Sequence, residues 1–423
     1  METLVPRLAY SDPVTSGLGR RAQIWPVVAM VLLGSALSLI IVAAGSLDRP
    51  LILLAITASL TLAVSAAWLR SVTWPAIFWG ACGLTAGVGV GVRWLMIDGA
   101  SPSSVAGLLA LASGVAVVVA SIARMSQRRP AWARALIILS ITLGVAVFVW
   151  TFSPAIIATD VPPIGRGGSS PIDLGLVAEE VRFSTTDGVS IAAWYVPATN
   201  GKTVILRHGS GDTASSVLPH AAVLARHGFG VLLADARGHG FSAGEAMAFG
   251  WYGDRDISAA LDYLSTRPEV DIENVAVVGM SIGGEEAIGA IGSDHRVSAV
   301  IAEGATARVD SDKGWLREVY GARGWIQLKL EWLQYAFTDL LTAAPKPPVL
   351  AEAARDSSPR PVLLIAGGDM PDEVNAAAFI AGEAGAHVST WVVPGAGHTQ
   401  GLSSAPESWE RKVVSFLDTA LGG

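Results

Sequence analysis

Ser281 stands in the run Gly279-Met280-Ser281-Ile282-Gly283-Gly284, a G-x-S-x-G with an apolar run before it and a helical pattern after it. A serine hydroxyl becomes a useful nucleophile when a neighbouring base takes its proton. Small flanking residues allow the sharp strand-to-helix turn, with strained backbone angles at the serine, that exposes such a hydroxyl at a strand tip. His398 offers the base. It lies in the small-residue loop Gly395-Ala396-Gly397-His398-Thr399, ahead of a helical pattern at 406–420. The chemistry available to this pair is two-step acyl transfer.

Two further motifs close apolar runs. His208-Gly209-Ser210 follows 203–207, and Asp235-Ala236-Arg237-Gly238-His239-Gly240-Phe241-Ser242 follows 230–234. The side chain of His208 reads as loop packing, and the 235–242 motif as loop architecture. A metal site built from His208, His239 and His398 is the rival. No pair has helical ligand spacing and no HExxH occurs, so no metal is expected.

These residues need a scaffold. The apolar runs at 203–209, 230–238, 274–281, 297–305, 361–368 and 387–395 alternate with helical patterns at 214–227, 254–267, 282–292 and 372–384. Strands that are apolar on both faces and alternate with helices predict a mostly parallel sheet covered on both sides. Segments 178–185 and 190–197 read as a leading antiparallel pair.

In motif order and spacing, roughly 180–420 resembles the α/β-hydrolase superfamily, in the branch of dienelactone-hydrolase-like proteins, monoglyceride-lipase-like esterases and serine aminopeptidases. The resemblance implies Ser281 as nucleophile, His398 as base, and the backbone N–H groups of Ser210 and Ile282 as oxyanion donors, with no cofactor. It also implies an acid after the strand at 361–368, often in a G-x-x-D-P setting. Here the text is Gly367-Gly368-Asp369-Met370-Pro371-Asp372-Glu373, and Met370 takes the acid's place. Asp369, one residue early, is the preferred acid. Glu303, Asp372 and Glu373 remain open, the last two also suited to capping the next helix.

Composition divides the chain. Over its 423 residues 51% are hydrophobic and 15% charged, with a mean hydropathy of +0.49. Soluble domains carry about 25% charged residues, which excludes an ordinary soluble enzyme or a disordered chain. Residues 22–158 hold seven Arg, two Asp and no Lys or Glu, whereas 159–423 carry a net charge of −13. Five uncharged stretches, 22–47, 50–69, 71–92, 99–123 and 135–159, each reach the roughly 20 residues that span a bilayer. Arg7, Arg20, Arg21, Arg70, Arg124, Arg128, Arg129 and Arg134 fall on one side, while Asp48-Arg49 and Arg93 with Asp98 fall on the other. This asymmetry predicts a cytoplasmic tail at 1–21 and, after five spans, a C-terminal domain outside the cytoplasmic membrane. The spans contain almost no ionisable group, so the region reads as an anchor rather than a transporter. Gly83, Gly87 and Gly91 predict close helix packing. Cys82, the single cysteine, sits inside a span.

Residues 159–175, rich in Pro, Gly and Ser, read as a flexible tether. The domain then occupies 176–423. Its aromatic insertion at about 306–348 reads as a small helical cap, either packed on the core, lidding an acyl site or resting on the outer leaflet. The expected partners are the lipid bilayer and a small acyl or ester substrate, with no nucleic acid. Ester hydrolysis leads; a serine peptidase of the same fold and a catalytically degenerate binding or sensing domain are the alternatives.

Overall fold

The computed structural model describes residues 13–43 and 50–422. Arg7 and the tail around it, and the Asp48-Arg49 connection, lie outside them. The chain divides into two compact units, Met1–Ile156 and Ile157–Gly423.

The first unit consists of α1 (Pro13–Ala43), α2 (Pro50–Leu69), α3 (Trp74–Asp98), α4 (Pro102–Ser126) and α5 (Ala131–Thr159). All five contain a stretch long and apolar enough to cross a membrane. The third runs on to Asp98, past the expected end at 92, because helical hydrogen bonds continue through Arg93. Its glycine stripe lies against α4. A Cβ on Gly91 would stand 2.6 Å from the carbonyl carbon of Gly107, and one on Gly83 would stand 2.8 Å from the carbonyl oxygen of Ala110. Within this stripe the helix loosens into a π turn at Gly87–Val92.

The second unit is built on eight strands: β1 (Glu179–Ser184), β2 (Ser190–Val196), β3 (Thr203–Arg207), β4 (Gly230–Ala234), β5 (Val275–Met280), β6 (Ala299–Glu303), β7 (Val362–Gly367) and β8 (Val388–Val393). They lie in the order β1-β2-β4-β3-β5-β6-β7-β8. β1 and β2 pair antiparallel, β2 joins β4 antiparallel, and every later pairing is parallel. Strand alternation sends Ile205, Val277, Val300 and Leu364 into one apolar layer and Leu206, Val278, Ile301 and Leu363 into the other. Both faces are covered, as the uninterrupted apolar runs require.

Besides a single turn at Gly401–Ser404, the helices are α6 (Leu218–Arg226), α7 (Gly253–Ser265), α8 (Ile282–Ser293), α9 (Leu316–Leu341), α10 (Leu350–Asp356), α11 (Pro371–Ala384) and α12 (Pro406–Ala420). The insertion folds into one long helix, α9, kinked at Gly321, whose φ of 56° and ψ of −128° break the helical run. Trp315 and Leu316 pack with Ala376 of α11, and Tyr335 packs with Trp251. Trp325, Ile326 and Trp332 are exposed.

The Pro/Gly/Ser segment departs from the expected free tether. Ile164 bridges to His239, and its carbonyl accepts the Gly240 N–H at 2.7 Å. Arg166 lies over the rings of Trp194 and Phe241 and pairs with the buried carboxylate of Asp235 at 2.5 Å. Its partners are distant in sequence, so local composition carried no sign of the docking.

Candidate active site

The chemistry-bearing residues meet at the C-terminal tips of the parallel strands, where α/β sheets place their ligands. Ser281 follows β5 directly and precedes α8. Its φ of 54° and ψ of −121° lie in a region that side chains rarely adopt. The turn persists because its surroundings leave no alternative. The Ser281 N–H donates to the Glu303 carbonyl at 2.7 Å, and a Cβ on Gly283 would stand 2.6 Å from the His208 carbonyl oxygen.

His398 lies in the loop after β8. Its Nε2 is 2.9 Å from Ser281 Oγ, and its Nδ1 is 2.6 Å from Glu373 Oε1. The carboxylate is an acceptor, so Nδ1 carries the proton and Nε2 is left to accept the serine hydroxyl hydrogen. The hydrogen bond that His398 donates to Glu373, ahead of opposing desolvation, raises the His398 pKa above its ordinary 6.5.

The carboxylate that reaches His398 is therefore Glu373, whereas the sequence reading preferred Asp369. Pro371 opens α11 at its first turn, and Glu373 in that turn turns inward. Its side chain is 2% exposed, and its second oxygen accepts the Gly367 N–H at 2.9 Å. The positive end of the helix dipole favours a carboxylate there. Asp369 is exposed, and its N–H donates to the Ala396 carbonyl. Asp372, one step around the helix, is exposed and accepts from the Tyr320 hydroxyl at 3.2 Å. Glu303 is buried and holds the Gly401 N–H at 2.7 Å and the Trp409 indole N–H at 2.8 Å. It thereby fastens the segment following His398, and burial pushes its carboxyl pKa up.

The two remaining motifs support the loops. His208 accepts the Ala236 N–H on Nε2 at 2.9 Å and donates from Nδ1 to the Gly209 carbonyl at 2.8 Å. Burial, with Arg207 beside it, pulls its pKa down to about 3. Asp235 accepts from the backbone of Ala214 at 2.8 Å and of Phe241 at 3.0 Å, holding two loops together. His208, His239 and His398 do different jobs, and no cluster of three or more metal-ligating side chains occurs among the described residues.

Ile282 is the first residue of α8, and Ser210 borders the cavity beside Ser281. The N–H at the start of a helix has no intrahelical partner, so it is open to an incoming oxygen. The cavity measures about 160 Å³ and is bordered by Asp212, Ser216 and His220 as well as Ser281 and His398, but by no residue of the 306–348 insertion. Sequence reading singled out neither Asp212 nor His220, because nothing local marks them; only the folded chain brings them to the same cavity as Ser281.

Residues 198–359 match the family model described as serine aminopeptidase, S33. That match ends before Glu373 and His398. The Arabidopsis thaliana protein named alpha/beta hydrolase domain-containing protein WAV2 is 29% identical over 204 residues, 45% of this chain and 64% of that one. The uncharacterized protein YfhR of Escherichia coli is 30% identical over 31% of this chain and 48% of its own length. Thiohydrolase aneE of Aspergillus aculeatus is 33% identical over 29% of this chain and 40% of its own. The chain thus spans less than two thirds of each of these relatives. An esterase of Pyrococcus furiosus superposes with a TM-score of 0.49 at 25% identity, covering 62% of this chain and 98% of the esterase. With its sheet order, its run of parallel strands and its strand-tip serine and histidine, the C-terminal unit has the α/β-hydrolase fold.

Proposed function

We propose that this protein is a serine hydrolase held at a membrane by its five apolar helices and cleaving ester or other acyl bonds. The observation that carries the reading is the chain of contacts from Ser281 Oγ through the His398 ring to Glu373, at 2.9 and 2.6 Å. In the first step Ser281 Oγ attacks the substrate carbonyl carbon and its proton passes to His398 Nε2. The carbonyl π pair moves onto oxygen, where the N–H groups of Ser210 and Ile282 receive it. The pair returns as the bond to the leaving group breaks, and His398 gives that group its proton. Water, deprotonated by His398, then releases the acyl group from Ser281. Glu373 keeps the proton of His398 on Nδ1 and stabilises the imidazolium without taking the proton itself. The arginine asymmetry supports a cytoplasmic N-terminus, with the hydrolase unit on the opposite side of the membrane.

Labelling of membranes with a fluorophosphonate tests the nucleophile: the wild type should label and Ser281→Ala should not. A folded wild type that stays unlabelled would falsify the reading. The match to a serine aminopeptidase model favours a second reading, a peptidase. Clear preference for aminoacyl or peptidyl amides over p-nitrophenyl acyl esters would select it. A reporter fused after Gly423 that is active only in the cytoplasm would overturn the assignment of sides.

A further inference from the structure

On α9 the usual arrangement of a surface helix is reversed. Its glutamate points inward: Glu331 is buried and accepts from the Lys313 ammonium at 2.9 Å and from the Gln327 amide at 3.4 Å. Its outer face carries Trp325, Ile326, Trp332, Leu333 and Leu340 instead, all exposed. These positions recur at intervals of seven, so they keep to one side of the helix. Of the large apolar side chains that the hydrolase unit exposes among its described residues, more than half lie on α9. A helix that turns its charge in and its tryptophans out is built to meet something other than water.

The place of α9 in the fold says what that is. The hydrolase unit begins at Ile157, so the last turn of α5, the fifth apolar span, belongs to it. In that turn Ala158 is fully buried in one apolar cluster with Trp251 and Tyr335, and its carbonyl accepts the Ala248 N–H at 2.8 Å. Tyr335 lies on α9, one turn beyond Trp332. The apolar stripe thus begins beside the point where the chain leaves its last span. Charge agrees with a lipid surface. Residues 159–423 carry a net charge of −13, yet the exposed charges between 322 and 338 are Arg323 and Lys329. Lys329 Nζ stands 5.9 Å from the centre of the Trp325 ring. A tryptophan beside a long cation suits the headgroup layer, where the ring sinks to the acyl boundary and the ammonium reaches phosphate.

We propose that the outer face of α9 lies in the headgroup layer of the membrane that α5 crosses, holding the hydrolase unit against the lipid surface. The inference rests on the membrane part of the reading above. Its test uses the full-length protein with Cys82→Ala, one chain per nanodisc of phosphatidylcholine and phosphatidylglycerol. A single introduced cysteine carries bimane, and the lipid includes 5-doxyl or 12-doxyl phosphatidylcholine. Ile326→Cys reports the stripe. Glu407→Cys, whose side chain is 88% exposed on α12, is the water reference. Leu143→Cys, 61% exposed on α5, is the membrane reference. For a face sunk about 5–10 Å into the interface, the 5-doxyl lipid should quench bimane at 326 more than the 12-doxyl lipid does. Iodide in the water should quench it less than at 407, and Trp332→Cys should behave as Ile326→Cys does. A label at 326 that matches the one at 407 overturns the proposal. Shielding from iodide without quenching by either lipid would mean that protein covers the stripe, and overturns it as well. The reference at 143 separates the two failures. Quenching at 143 by the 12-doxyl lipid with none at 326 sinks this inference alone, whereas an unquenched 143 sinks the membrane reading with it.

Discussion

The two units solve the burial problem in opposite ways. In the helical unit, packing is achieved by leaving side chains out: Gly91 faces Gly107, and Gly80 faces Gly114. Several of its hydroxyls turn back onto their own helix, as Thr85 does to Ala81 and Ser121 to Val117, at 2.9 and 2.8 Å. In the hydrolase unit, charged side chains are buried and paired across long stretches of sequence. Arg207 meets Glu286 at 2.6 Å, Arg237 meets Asp256 at 2.6 Å, and Arg308 meets Asp254 at 2.6 Å. The membrane location proposed above would account for the contrast. Lipid tails are as apolar as leucine, so helices in them gain chiefly from close backbone approach. Water drives apolar burial, and any charge carried inside must be matched.

If the hydrolase unit depends on matched charges, removing one at the site should cost most. Glu373→Gln should lower kcat by about 10⁴-fold, as loss of the orienting acid does in serine proteases. Asp369→Asn and Asp372→Asn, both at exposed carboxylates, should stay within about twofold. Equal losses in all three would break the assignment of Glu373. Next comes the matched interior. Arg308→Met strands Asp254 and the Gly250 carbonyl, which Arg308 reaches at 2.5 Å, and should destabilise the hydrolase unit by about 3–5 kcal/mol. Chemical unfolding read on that unit would check it, and an unchanged midpoint would remove charge matching as its rule.

The helical unit has its own test. Gly107→Leu forces a side chain into the backbone of Gly91 and should cost about 1–3 kcal/mol or more. The expected readout is a lowered melting point of the helical unit, and an unshifted transition would show that close approach does not hold these helices together. The smallest effect is in pH. Attack by Ser281 needs neutral His398, whose pKa is raised above 6.5 chiefly by Glu373. The rise of kcat/KM with pH should therefore be centred above 6.5. In Glu373→Gln it should move to lower pH, and a limb that stays in place would break the coupling. The same sign applies to stability: the His398–Glu373 contribution is full below the unfolded histidine value and fades as pH rises through the folded one.

The fold was legible because its signals are local. Every one of the six apolar runs became a parallel strand or its tip, and the leading pair at 178–185 and 190–197 became β1 and β2. Ser281 and His398 were legible for the same reason, since a tight turn demands small neighbours whatever surrounds it. The acid was not. Asp369, Asp372, Glu373 and Glu303 all lie near strand tips, and only the direction of the first turn of α11 turns Glu373 towards the ring. A glutamate on a helix reaches as far as the expected loop aspartate would. The stretch at 159–175 failed for a related reason: its turn-rich composition speaks of the local chain and not of an Asp235 waiting 69 residues away.

By itself, then, the amino-acid order determined five helices long and apolar enough to cross a membrane, a parallel sheet and the serine and histidine at its tips. Each of these follows from side-chain chemistry over a few neighbouring residues. Tertiary structure alone decided which carboxylate orients His398, that Glu303 fastens the loop behind it, and that His220 borders the cavity beside Ser281. Those outcomes depend on how separate elements are aimed at one another, a property that no short stretch of sequence contains.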